Sequence, residues 1–200
     1  IDINEINDGL KAIARGDMDS LDAFFHSILI KLPVEGTSTT CFLHCITLDG
    51  NGRPRVADLV KHLQWHIVDY AIPRDKIKAA EEYFQKTKST EKFLALEQEA
   101  KGLFTSLSRT GEGGELILFL LAERFLKLPQ LICKMHHKTN PELHFNGADG
   151  LHAGVDLVKQ RLCLYWGESK MHSRPMSAIK ECVKSIAVYL KSNGGIGASD

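Results

Sequence analysis

The stretch Tyr165-Trp166-Gly167-Glu168-Ser169-Lys170 closes the strand-like run Arg161 to Gly167 and decides how the chain is read. Side chains alternate along a strand, so Glu168 and Lys170 are expected on the same face as Leu162, Leu164 and Trp166. That face is apolar along the strand and ionic at its end, the pattern of a core strand emerging into a cleft. A carboxylate and an ammonium side by side there can bind a divalent metal and position a water. Working outward, Gly147-Ala148-Asp149-Gly150 opens the preceding strand, Leu151 to Val158, and a tight turn at Lys159-Gln160 joins the two. Glycines around Asp149 let a metal or a phosphate approach the backbone closely. Asp-Gly is also a common hairpin turn, so a plain turn role for Asp149 stands beside the ligand role.

Further upstream, Glu115 follows Gly113-Gly114 and leads a run, Glu115 to Leu126, that is apolar nearly all round and therefore reads as a buried helix. A carboxylate at the mouth of an apolar helix needs a partner or a metal. It also suits a helix N-terminus without any further role, and Glu123 on the same helix is a rival. Oxygen ligands of this kind suit Mg²⁺ or Mn²⁺. After Pro129, Leu131 to Met135 reads as a short strand, and Met176 to Leu190 as a helix with Ile179, Val183, Ile186 and Leu190 on one face. The expected order from residue 115 is helix, strand, strand, strand, helix.

The first part of the chain reads as mostly helical. Leu21 to Ile30 is a short amphipathic segment, Thr40 to Leu48 a strand ending at the turn Asp49-Gly50-Asn51-Gly52, and Val56 to Ala71 a helix stopped by Pro73. Asp75 to Thr87 and Thr90 to Leu107 are further helices with Lys- and Glu-rich faces. The loop Thr110 to Gly114 is the best internal boundary. The expected division is a mostly helical region with one or two strands at 1–110, a core at 111–192 and a flexible, truncated-looking tail at 193–200. An initial Ile1 in place of Met points the same way, to a piece of a longer chain.

Lys plus Arg and Asp plus Glu are both 25 in 200 residues, which excludes a strongly cationic protein that coats nucleic acid by bulk charge. A local patch remains open. Arg124 to Lys138 holds Arg124, Lys127, Lys134 and Lys138 and no acidic residue, and Arg174 extends it. The stretch reads either as a solvated loop or as a phosphate-contacting patch, with Lys134, Lys138 and Arg174 as the DNA-binding candidates. Five cysteines, an odd number spread through apolar segments, suggest reduced thiols and a cytoplasmic protein. No run approaches the roughly 20 apolar residues of a membrane span, so no membrane partner is expected. His136, His137, His144, His152 and His172 with Cys133 and Cys163 match no standard zinc spacing.

Glu115, Asp149 and Glu168-x-Lys170 across this order of elements resemble the PD-(D/E)xK nuclease core. The wording of the loops is closer still to one bacterial family. Gly114-Glu115, Lys134-Met135, Gly147-Ala148-Asp149-Gly150-Leu151-His152, Tyr165 to Lys170 and the stretch from Cys45-Ile46 to Tyr70-Ala71-Ile72-Pro73 resemble HamA, the nuclease-like subunit of the Hachiman anti-phage defence system. The resemblance covers about residues 40 to 190, and the Gly-Ala-Asp-Gly plus Gly-Glu-Ser-Lys pair is its specific part.

The resemblance implies an α/β (mixed α+β) fold with a restriction-endonuclease-like core. It implies that Asp149 and Glu168 hold the metal, that Lys170 orients the attacking water or stabilises charge on the scissile phosphate, and that Glu115 completes the acidic cluster. The implied activity is metal-dependent cleavage of DNA under the control of a partner, the superfamily 2 helicase HamB. The competing reading is a nuclease-fold binding module that regulates a helicase without cutting. Such cores usually add a strand after the second helix, and this sequence stops soon after Leu190.

Overall fold

A computed structural model describes residues 2–16, 18–104, 111–137 and 148–191. The chain forms a mixed α+β fold in two compact units, one made of residues 17–66 and the other of residues 1–16 with 67–200. This division differs from the boundary near residue 110 expected from the sequence.

In the smaller unit a 3-10 turn, Met18–Ala23, leads into β1, Phe25–Pro33, which pairs antiparallel with β2, Thr40–Ile46. The segment Leu21 to Ile30 is therefore a turn and a strand, because its β-branched and aromatic residues find a partner strand. The Asp49 carboxylate then accepts the backbone N–H groups of Asn51 at 2.8 Å and Arg53 at 2.9 Å, closing the turn expected there. Helix α2, Val56–Trp65, completes the unit. The long helix expected over Val56 to Ala71 is interrupted at His66.

The larger unit opens with α1, Ile3–Ile13, whose Asp2 cap accepts the Asn4 N–H at 2.9 Å. Next come α3, Ile67–Ala71, α4, Arg74–Thr87, and α5, Glu91–Leu103. Lys76 pairs with Glu99 at 2.6 Å between α4 and α5. Helix α6, Glu112–Leu121, continues as one π-turn, Ala122–Leu126. Its Leu116, Phe119 and Leu120 are buried, and the Phe119 ring lies 5.6 Å from that of Tyr70. The remaining elements are a one-turn helix α7, Lys134–His137, the hairpin β3, Gly150–Asp156, with β4, Arg161–Gly167, and α8, Pro175–Lys191.

Buried charge ties the start of this unit to its middle. The Arg15 N–H donates to Glu123 Oε2 at 2.8 Å, and its guanidinium donates to the Asp69 carbonyl and to the Ile72 carbonyl at 2.8 Å. Glu123 Oε1 accepts the Gln130 N–H at 3.0 Å. Burial pushes the Glu123 carboxyl up from its ordinary range, against the pull of those two N–H groups.

Two expectations are corrected here. Leu131 to Met135 is not a strand. Gln130 makes an isolated bridge to His152, and the chain then turns into α7, burying Cys133 and Met135 through a helical turn. Among the described residues the order of elements after residue 111 is therefore helix, bridge, short helix, strand, strand, helix. The apolar face of β4 is also not core: Leu162, Leu164 and Trp166 are 46%, 46% and 38% exposed. All five cysteines are unpaired. No helix among the described residues is long and apolar enough to cross a membrane.

Candidate active site

The site forms at the open end of the β3–β4 hairpin. The ladder ends at Gly150 opposite Gly167, so Asp149 and Glu168 are the first residues beyond it on the two arms. Backbone bonding continues one step, with the Asp149 N–H donating to the Gly167 carbonyl at 2.8 Å. A side-chain bond then locks the arms together, as Asp149 Oδ2 accepts the Ser169 N–H at 2.8 Å. A Cβ at Gly167 would stand 2.7 Å from Leu118 Cδ2 on α6, so the bare backbone there lets that side chain lie against the hairpin end. Gly114 serves the same end at the start of α6, where a Cβ would lie 2.6 Å from Ser169 Oγ.

Because β4 ends at Gly167, its alternation does not continue into Glu168. The Glu168 side chain is 5% exposed, although Trp166 two residues before it is open to solvent. Its carboxylate pairs with the Lys170 ammonium, which holds the Lys170 pKa above its ordinary value. The Cys182 thiol of α8 donates to the Glu168 carbonyl at 3.7 Å. Glu168, Ser169 and Lys170 line an open, mainly apolar cleft of about 410 Å³ with Met171, Ile179 and Val183.

Glu115 enters from the first turn of α6 and Lys134 from α7. Lys134 Nζ lies 3.3 Å from Asp149 Oδ1 and 3.7 Å from Glu115 Oε1, so one ammonium serves both carboxylates. The Tyr70 hydroxyl of α3 donates to Glu115 Oε2 at 3.0 Å. Burial first, and then the Glu115 carboxylate, push the Tyr70 pKa far above the phenol range, which keeps it a donor. The structure thus brings Glu115, Asp149, Glu168 and Lys170 into one neighbourhood through Lys134 and the Ser169 backbone.

Residues 18–196 match the family model of HamA. The chain belongs to the HamA family. No curated protein and no solved structure matches it.

Every member of the cluster lies within the part that matches HamA. Glu123, the rival of Glu115, accepts two backbone N–H groups, those of Arg15 and Gln130. Lys138 lies outside the described residues. Arg174 is exposed just before α8, where its carbonyl accepts the Ser177 N–H at 3.0 Å. His152 is buried in β3, its Nδ1 paired with the Leu128 carbonyl at 2.9 Å, so it does not face solvent beside the acidic cluster.

One participant, Tyr70, has a role that the sequence does not show. Tyr70 meets Glu115 only through the tertiary fold. Lys134 was expected on DNA and is found among carboxylates. Both the basic stretch Arg124 to Lys138 and the Lys134-Met135 pair point to it in the sequence.

The donor set suits a hard divalent cation, being carboxylate oxygen throughout, and Lys134 stands in for a cation between Glu115 and Asp149. Among the described residues no three His, Cys, Asp or Glu side chains are gathered closely enough to hold a metal ion. Carboxylate oxygens are the donor class that Mg²⁺ and Mn²⁺ take; Lys134 lies between Glu115 and Asp149, and Lys170 pairs with Glu168.

Proposed function

We propose that this HamA-family chain is the metal-dependent deoxyribonuclease subunit of a Hachiman defence system, working with the helicase HamB. What supports the reading is the gathering of Glu115, Asp149, Glu168 and Lys170 at one end of the hairpin, inside the region that matches HamA. Asp149 and Glu168 are the residues to hold Mg²⁺ or Mn²⁺. The bound ion supplies charge stabilisation on the phosphate and a water acidic enough to attack at neutral pH. Lys170 orients that water or meets the charge that grows on the phosphate oxygens. Glu115, fixed by the Tyr70 hydroxyl, keeps the acidic cluster in place. Lys138 and Arg174 are assigned to the DNA backbone, a local patch on a chain whose formal charge is zero, while Lys134, the third DNA-binding candidate of the sequence, is held by Asp149 and Glu115. Such a chain binds DNA weakly alone, which suits delivery of the substrate by a helicase.

One observation favours a second reading. Each carboxylate already has a protein partner, Lys134, Lys170 or a backbone N–H, and a non-cutting module that regulates the helicase would be built in the same way. The two separate on linear and supercoiled DNA with Mg²⁺, with and without HamB. Cleavage under either condition supports the nuclease, and intact DNA under every activating condition supports the module.

A further inference from the structure

The acidic cluster is charge-compensated from within. Glu115, Asp149 and Glu168 face two ammonium groups, those of Lys134 and Lys170. Lys170 belongs to Glu168, its neighbour in the same loop. Lys134 differs, because it comes from another element and spans two carboxylates that come from two further elements. Its distances of 3.3 and 3.7 Å place the charge between them, against Asp149, one of the two carboxylates assigned to the metal.

Resting on the nuclease reading, we infer that Lys134 is an internal counter-cation that a divalent metal must displace. Lys134 and Lys170 already meet the carboxylates of Glu115, Asp149 and Glu168 with no metal bound. A divalent ion on Asp149 meets the Lys134 ammonium at the same carboxylate, so metal and Lys134 compete for Asp149. The stem permits the exchange: lysine is a point charge on a flexible four-carbon chain, and the Lys134 side chain is partly open to solvent while Glu115 and Asp149 are more buried. The anchor also permits it. Buried Cys133 and Met135 hold α7 on either side of Lys134, so its ammonium can leave without the backbone moving. Lys134 therefore sets the metal affinity and acts as a positioning residue for the acidic pair.

The test is calorimetric Mn²⁺ titration of the whole chain without DNA, for wild type, Lys134→Met and Lys134→Arg. Lys134→Met is expected to bind Mn²⁺ about tenfold more tightly than wild type, a gain of ~1.4 kcal/mol, and Lys134→Arg to bind like wild type. Equal or weaker binding by Lys134→Met overturns the inference and leaves the nuclease reading standing. Mn²⁺ bound by none of the three removes the nuclease reading and the inference with it. Should Lys134→Met fail to fold, Lys134→Gln replaces it, and a larger Mn²⁺-dependent rise in melting temperature than wild type shows is the expected result. An equal rise contradicts the competition.

Discussion

The Tyr70 hydroxyl donates to Glu115 Oε2 at 3.0 Å, joining the one-turn helix α3 to the mouth of α6 inside the core. Tyr70 is 1% exposed, so this bond is made without water. Its loss leaves the ring packing and removes one bond to a charged group. Tyr70→Phe is expected to lower the stability of the chain by about 1.5–3 kcal/mol, read as a lower urea midpoint at unchanged slope. An unchanged midpoint means that Glu115 is held by other groups.

Glu115 and Glu123 share one helical run and have different work. Glu123 satisfies the buried N–H groups of Arg15 and Gln130. Glu123→Ala strands both donors and is expected to cost about 2–5 kcal/mol of stability. Glu115→Gln keeps the shape and is expected to melt close to wild type while losing DNA cleavage. A pair of melting curves beside a cleavage assay checks this, and the reverse pattern would exchange the two roles.

His152 supplies a pH dependence. Its Nδ1 pairs with the Leu128 carbonyl, while Nε2 is buried without a partner among the described residues, and burial lowers its pKa below the ordinary 6.5. The protonated form is thus more favoured in the unfolded chain. The stability tied to neutral His152 is full above pH 6.5 and is lost as pH falls from there toward the folded value. The urea midpoint should drop between pH 7.5 and 5.5, and drop less in His152→Asn. Equal drops in both proteins would place the pH dependence on other groups.

Much of the larger unit was legible from periodicity. The β3–β4 hairpin, its turn at Lys159-Gln160, α6 and α8 all follow from apolar spacing. Leu131 to Met135 was misread because a short apolar run does not distinguish a strand from a buried helical turn. Helix α1 is legible too, with Ile3, Ile6, Leu10 and Ile13 at helical spacing after the Asp2 cap, although the sequence reading places no helix there. At the candidate site, Asp149, Glu168 and Lys170 were found because they sit at strand ends beside glycines. Tyr70 was not, since its partner lies far away in sequence. Lys134 carried only its positive charge into the reading, and which anion it meets is decided by the tertiary fold.

The central claim is that the cluster at the hairpin end hydrolyses DNA. The most direct test is cleavage of supercoiled DNA with Mg²⁺ and HamB by wild type, Asp149→Asn, Glu168→Gln and Lys170→Met. Glu97→Ala serves as a control that breaks only the partly exposed Glu97–Lys101 pair on α5. The account predicts that each site variant is slowed by about 10²-fold or more and that the control cuts at the wild-type rate. Wild-type cleavage by the double variant Glu168→Gln with Lys170→Met would contradict it.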